Sequence, residues 1–288
     1  MKTSSLLSLI FIFSILVATK SYGKYVVIGH EESSHAQVVA EIIKQVFERK
    51  GFNVATKSGS TETMINMLVE REIDFFVPAW ITTKDQHHWE SNKSKLKKVG
   101  LIFEGAEYFF SVPSYISPED LSSISDAKRS PGIDKLKKKI FVVESDDEMI
   151  KLSQKAITAY QLKEANFIIN FIKDREYLET LNNAMESKEW FIFASRSPFF
   201  INRVLDSRKL DDPKSVFIKS SEAHLIANSE SWDYIKKPMQ DILKKIELSI
   251  KSIEELDEVM RLRMMPVHDV ARRWLGSRPN TVEYWLQP

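Results

Sequence analysis

Apolar positions along the chain alternate between short unbroken runs and stripes at helical spacing. Tyr25-Val26-Val27-Ile28 is an apolar run stopped by Gly29, and it reads as a buried strand. After the polar stretch His30 to Ser34, the residues Val38, Val39, Ile42, Ile43, Val46 and Phe47 recur at the spacing of an amphipathic helix, which Gly51 closes. Phe52 to Thr56 predicts a second strand, and Ser60 caps a helix carrying Met64, Ile65, Met67, Leu68 and Val69. Ile73 to Val77 predicts a third strand, stopped by Pro78-Ala79-Trp80. Strand and helix alternating over about 55 residues is the pattern of a parallel sheet wrapped by helices. Ligands of such sheets gather at the carboxyl ends of strands, here the loops His30 to Ser34 and Pro78 to Thr82.

A second unit begins around Tyr108 to Val112. Ser117-Pro118-Glu119-Asp120 predicts a helix start, with serine as cap and proline in the first turn. Ile140 to Val143 predicts a strand, and Ser145 with Glu148 forms a capping box for a helix through Tyr160. Phe167 to Ile172 and the aliphatic positions of Leu178 to Met185 follow, then a strand over Trp190 to Phe193 and a loop over Ala194 to Pro198. Ala223 to Ala227 is a last strand, and the tail is helical. There Ser252 with Glu255 makes a capping box, Val267 to Leu275 ends at Gly276, and Asn280 caps a helix carrying Val282, Trp285 and Leu286. No internal repeat or low-complexity linker interrupts the pattern.

Composition narrows the function classes. With 288 residues, 43% hydrophobic and 28% charged, the chain is long and apolar enough for two lobes with cores. Lys plus Arg total 41 against 40 Asp plus Glu, a balance that gives no reason to expect a nucleic-acid partner. Cys is absent, which removes disulfides, thiolate metal sites, cysteine nucleophiles and lipid attachment through cysteine. Lys2, the apolar run Leu6 to Val17 and the small residues around Ser21-Tyr22-Gly23 read as a cleaved export signal over residues 1–23, with Lys24 as the first mature residue. That run is about 12 residues, against the roughly 20 a bilayer span needs. The expected location is the periplasm.

The search for catalytic chemistry returns little. No Gly-x-Ser-x-Gly elbow and no glycine-rich phosphate loop is present, so no enzyme activity and no cofactor is predicted. His87-His88 beside Asp85 would point about 100° apart on a helix, which suits an exposed face and not a metal pair. His30 and His35 with Glu31 or Glu32 form the one alternative cation arrangement, and Asp146-Asp147 suits a helix N-terminus. Aromatics at strand ends are a stronger signal. Trp80 follows the third strand, Tyr108, Phe109 and Phe110 stand where the units meet, and Trp190 leads toward Arg196. Converging aromatic faces favour cations, quaternary ammonium groups above all. Trp274 and Trp285 belong to amphipathic core helices.

Five segments carry a family resemblance: VVIGHEESSHAQVVAEIIKQVFERKGFNV, GSTETMINMLVEREIDFFVPAW, GAEYFFSVPSYI, EWFIFASRSPFFINR and HDVARRWLGSRPNTVEYWL. In their order and spacing the chain resembles the substrate-binding proteins of glycine betaine, choline and proline-betaine ABC transporters. The resemblance implies an α/β, two-lobed venus-flytrap fold, each lobe a mainly parallel sheet flanked by helices, with two crossovers. Lobe 1 would comprise 24–110 and 222–288, and the inserted lobe 2 would comprise 111–221. Such proteins cage an ammonium group between tryptophans and hold any carboxylate with polar or backbone donors. Here His30 takes the aromatic place after the first strand and Glu32 the acidic one, with Glu31 between them; Trp80 and Tyr108 match cage aromatics. In the inserted lobe Phe193 and Ser195 align with a phenylalanine and a glycine, and Arg196 stands where the family has tryptophan. A guanidinium 4 Å from a quaternary ammonium would repel it by about 4 kcal/mol at an effective dielectric of 20.

The inferred pocket therefore mixes signs, with His30, Glu31, Glu32, Trp80 and Tyr108 on one lobe and Arg196, Ser145 and Asp146 on the other. The implied function is capture of a small quaternary-ammonium or zwitterionic solute by lobe closure and delivery to an ABC permease, by a monomeric protein. The alternatives are a different zwitterion or anion bound through Arg196, a ligand sensor without transport, a metal receptor through His30 and His35, and an enzyme on the same fold.

Overall fold

A computed structural model describes residues 25–129, 131–217 and 220–287. The export signal expected over 1–23 lies outside them. Strands β1 (Tyr25–Glu31), β2 (Asn53–Gly59) and β3 (Phe75–Ala79) alternate with helices α1 (Ser34–Glu48), α2 (Thr61–Val69) and α3 (Gln86–Asn92). A strand of 18 residues, β4 (Leu96–Pro113), leads into the second half, which holds α4 (Gly132–Lys135), β5 (Leu136–Val143), α5 (Asp147–Ala159), β6 (Ile168–Ile172), α6 (Asp174–Glu186), β7 (Trp190–Ser197), α7 (Ile201–Val204) and β8 (Ser207–Lys209). The chain returns along β9 (Ser221–Asn228) and finishes in α8 (Ser229–Tyr234), α9 (Lys237–Lys245), α10 (Ile250–Leu262), α11 (Val267–Gly276) and α12 (Pro279–Leu286).

The strand order is β2-β1-β3-β9-β4-β7-β5-β6, with β8 paired to β4. Within each half three strands are parallel (β2-β1-β3 and β6-β5-β7), while β4 and β9 join antiparallel. β4 belongs to both halves. Its residues Leu96 to Ala106 pair with β9, and Glu107 to Ser111 pair with β7. At the change of partner the register shifts between Phe103 and Ala106, and Gly105 between them adopts φ +81°, a backbone state that glycine enters without a Cβ penalty.

Two large apolar clusters follow this division. One packs Val26, Ile28, Val38, Ile42, Phe47 and Phe75 under α1 and the C-terminal helices; the other packs Phe110, Ile140, Val142, Phe191, Phe193 and Ile201 in the second half. A third, smaller cluster fills the opposite face of the first sheet beneath α2, with Met64, Ile65, Leu68 and Phe76. With each large side chain contributing about 1.5–3 kcal/mol on burial, each half has its own core. The result is a two-lobed α/β fold with two crossovers, one along β4 and one leading into β9.

Several expected boundaries move. Ser117 to Asp120 makes a single turn and no helix, because the chain then extends to bring Ser123 against Asp211; a 3-10 helix capped by Ser123 and Asp126 follows at Ile124–Lys128. Asp146, not Ser145, caps α5, its carboxylate accepting the Met149 N–H at 2.9 Å. Helix α10 begins one turn earlier than Ser252, at Ser249, which accepts the Ser252 N–H. That extra turn adds Ile250 to the apolar stripe. Asn280 lies inside α12, where Pro279 occupies the first turn. Residues Ala194 to Ser197 continue strand β7, so Arg196 stands on a strand and not in a loop.

Candidate functional site

A cleft of about 750 Å³ opens where the lobes face each other, at the carboxyl ends of β1, β3, β5 and β7. From lobe 1 it is lined by Glu31, Glu32, Ser33, His35, Thr61, Trp80, Lys84 and Arg261, and from the second half by Ser145, Asp146, Asp147, Arg196 and Phe199, with Tyr108 from the shared strand. Of the residues expected from sequence, Glu31, Glu32, Trp80, Tyr108, Ser145, Asp146 and Arg196 all reach this cleft. His30 does not line it. Strand alternation puts His30 on the face of Val26 and Ile28, which α1 covers; it is buried, and its Nδ1 hydrogen-bonds the Glu31 carbonyl at 2.7 Å.

Trp80 leaves β3 into a loop held by Asp85, whose buried carboxylate accepts the Trp80 backbone N–H at 2.7 Å. Burial raises the Asp85 pKa, with Lys84 opposing. The indole packs edge-on against Phe103 with centroids 5.3 Å apart, and its N–H has no hydrogen-bond partner. Glu31 receives hydrogen bonds from Thr61 and from Lys84, the latter at 2.5 Å. Glu32 is exposed and has no ion-pair partner among the described residues, and the same holds for Asp147 and Asp174 at the opposite rim.

On the second lobe Arg196 and Asp146 form one unit. Arg196 Nε donates to Asp146 Oδ2 at 2.9 Å, Nη1 donates to the Pro198 carbonyl at 2.6 Å, and the guanidinium lies 4.9 Å from the Phe199 ring centroid. Burial acts to lower the Arg196 pKa, but Asp146 first, then Tyr108 and Asp257, outweigh it and the net shift is upward. Tyr108 stands directly opposite Arg196 in the ladder and donates its hydroxyl to Asp146 Oδ1 at 3.5 Å. Burial first, then the Asp146 charge, pushes the Tyr108 phenol up, so it stays a donor.

His35 opens α1 and is buried at the cleft. Burial, followed by the charges of Arg196, Lys84 and Arg261, lowers its pKa well below 6.5, so the ring is neutral. Ser33, the residue before α1, makes no side-chain capping bond, and the first turn of that helix holds no acid. Among the described residues no group of three or more His, Asp and Glu side chains is arranged to hold a metal ion. Nor is any described helix long and apolar enough to cross a membrane.

Sequence reasoning missed Lys84, Phe199 and Arg261 as cleft residues. Phe199 follows Ser-Pro at the end of β7, a position that the longer strand makes readable. Arg261 comes from a helix more than 200 residues away in sequence from Ser34, which it hydrogen-bonds at 3.0 Å, and nothing local announces it.

The model of the substrate-binding domain of ABC-type glycine betaine transport systems matches residues 24–277. A Listeria monocytogenes glycine betaine/carnitine transport binding protein is 23% identical over 166 residues, 56% of this chain; the match spans about half, 52%, of that relative's length. Among solved structures, a glycine betaine/L-proline-binding protein of Borrelia burgdorferi superposes with a TM-score of 0.74 at 23% identity, covering 92% of this chain and 97% of the other. The lactococcal protein solved closed with glycine betaine gives 0.75 at 19% identity, over 92% and 100% of the two chains. A choline-binding protein solved with choline gives 0.71 at 15% identity, over 91% of each chain. These likenesses extend to the fold of both lobes.

Proposed function

Because the chain belongs to the family of substrate-binding domains of ABC-type glycine betaine transport systems, we propose that it captures a small quaternary-ammonium or zwitterionic solute, of the glycine betaine or choline kind, between its lobes. It would act in the periplasm as a monomer and present the closed, loaded form to a membrane permease. No covalent step is involved. Lobe 1 is taken as 24–110 with 222–288 and lobe 2 as 111–221, a division supported by the two apolar clusters and by the change of partner along β4.

The observation that carries the reading is the composition of the cleft wall. Three aromatic rings, Trp80, Tyr108 and Phe199, share it with carboxylates that have no cation partner among the described residues, Glu32, Asp147 and Asp174. Quaternary ammonium groups cannot be hydrogen-bonded, and aromatic faces with nearby negative charge are what stabilise them. A carboxylate at the other end of the solute would find the start of α1, where Ser33 and His35 reach the cleft and no side chain caps the helix. Contacts from both lobes exist together only when the lobes meet, so solute binding favours closure.

Titration calorimetry of the mature chain against glycine betaine, choline, carnitine, proline, taurine and spermidine tests the reading. Binding of glycine betaine or choline with at least tenfold preference over taurine and spermidine supports it. Binding confined to taurine, a zwitterion whose primary ammonium is recognised through hydrogen bonds, or to spermidine would overturn the glycine betaine or choline assignment.

A further inference from the structure

We infer that Asp146 sets the sign of charge this cleft accepts, by holding the guanidinium of Arg196 in an ion pair within the wall and so removing it from the solute's view. The inference rests on the cleft being the solute site, and concerns residues that act on one another before either acts on a ligand.

Both carboxylate oxygens of Asp146 are engaged. Oδ1 accepts the Met149 N–H at 2.9 Å, which caps α5, and the Tyr108 hydroxyl at 3.5 Å; Oδ2 takes Arg196 Nε at 2.9 Å. Arg196 is fixed at further points, by the Pro198 carbonyl at 2.6 Å and by the Phe199 ring 4.9 Å away. Strand pairing places Arg196 opposite Tyr108, so the carboxylate that caps the neighbouring helix reaches both. The two side chains are 16% and 17% exposed, dry enough for their mutual field to be felt strongly.

The other bases of the cleft are answered in the same way. Lys84 pairs with Glu31 at 2.5 Å and Arg261 with Asp257 at 3.1 Å. What remains at the wall without a counter-charge among the described residues is acidic, Glu32, Asp147 and Asp174. Removing the Asp146 charge would leave a buried guanidinium beside the aromatic rings and turn that part of the wall from neutral to positive. Asp146 is thus a positioning residue that acts through Arg196.

The test uses Asp146→Asn, which preserves the α5 cap because asparagine caps helices as well as aspartate does, together with Arg196→Met and the double variant. Probes are inorganic sulfate, choline and glycine betaine, read by titration calorimetry. D146N is expected to bind sulfate at least tenfold tighter than the parent protein, and the double variant to lose that gain. Choline affinity is expected to fall at least tenfold in D146N and to return in the double variant; in R196M it is expected to rise, since Asp146 then faces the cleft unpaired. A folded D146N whose sulfate affinity stays within twofold of the parent overturns the inference. So does a choline loss of equal size with and without Arg196, which would mean that Asp146 meets the solute directly. Should D146N not fold, R196M decides: weaker choline binding in it assigns Arg196 itself to the solute and overturns the inference. A parent protein that binds neither choline nor glycine betaine fails the solute reading, while the sulfate comparison still judges the pair.

Discussion

The side-chain amide of Asn202 donates to Glu254 Oε1 at 2.8 Å, joining the second lobe to helix α10 of the first. The same Asn202 accepts from Ser195 and donates to the Arg196 carbonyl, both at 2.8 Å, so this crossing bond is anchored at the cleft wall. Beside it the Phe199 N–H donates to Glu254 at 3.2 Å, the Phe200 N–H to Asp257 at 3.4 Å, and Arg203 pairs with Glu258 at 2.6 Å. Helix α10 thus carries a row of acceptors for the segment that follows β7.

Glu254→Leu leaves one N–H of the Asn202 amide and the Phe199 N–H without their Glu254 acceptor when the lobes meet, whereas water satisfies them when the lobes part. Each buried donor left without a partner costs about 1–3 kcal/mol. The expected outcome is a solute affinity at least tenfold lower and a larger radius of gyration for the unliganded protein by small-angle X-ray scattering. Unchanged affinity and radius would mean that α10 does not contribute to closure.

Acid should destabilise the protein through His35. Its folded pKa lies well below 6.5, first through burial and then through Arg196, Lys84 and Arg261. Between that folded value and 6.5 the unfolded chain binds the proton and the folded chain does not, so stability falls as pH drops through this window. The slope is about 1.4 kcal/mol per pH unit for one proton. His224, lowered by burial and by Lys98, adds in the same direction. Asp74 and Asp85, raised by burial, work the opposite way at lower pH. Urea unfolding of parent and His35→Gln between pH 5 and 7.5 isolates the His35 share: the variant's curve should be flatter, and parallel curves would refute the assignment.

How much of this was readable before the structure depends on whether the cause was local. β3 and the second half of β5, Ile140 to Val143, are short apolar runs buried on both faces, β1 is nearly so, and such runs declare themselves. The carboxyl-end rule then finds Glu31, Glu32 and Trp80 without coordinates. β4 was legible only at its end, because Lys97, Lys98, Glu104 and Glu107 break the apolar pattern; the strand persists because β9 and β7 pair its two parts in turn. The same pairing carries β7 past Phe193 to Ser197 and sets Arg196 opposite Tyr108. His30 was misplaced because residue type suggested an aromatic wall, while the alternation along β1 turns it under α1. The partner of Arg196 depended on which residue capped α5, and adjacent Ser145 and Asp146 offered two caps.

Gly100 lies where α9 comes close to β4. A Cβ there would lie 3.3 Å from the Leu243 carbonyl oxygen and 3.4 Å from the Lys244 Cα, both backbone atoms that do not swing aside. Gly100→Ala should therefore cost about 1–3 kcal/mol, the usual range for overpacking, and lower the thermal midpoint by roughly 2 °C or more per kcal/mol. Because the contact lies among β4, β9 and α9, solute affinity below the midpoint should be unchanged. An unaltered midpoint would mean that α9 shifts freely against the sheet.

Trp80 is the ring whose removal separates charge recognition from contact area. Its backbone is fixed independently of the indole, by the Asp85 carboxylate at 2.7 Å and by the Thr83 and Asp85 N–H groups at 3.0 Å. Its indole N–H is buried without a partner, so Trp80→Phe deletes an unsatisfied donor as well as ring area, and the two changes in stability oppose each other. Folding should survive with the loop in place. A tryptophan face attracts a cation by about 0.5–2 kcal/mol, which corresponds to roughly twofold to thirtyfold in affinity. Choline should lose part of that factor in the variant, because a phenyl ring keeps a weaker cation-attracting face, while 3,3-dimethylbutanol, of the same shape without the charge, should lose less. Equal losses would show that Trp80 contributes area alone, and no loss for either would place the solute away from β3. Because the uncharged analogue has the same shape as choline, the difference between the two losses reports only the excess attraction of the indole face over the phenyl face for positive charge.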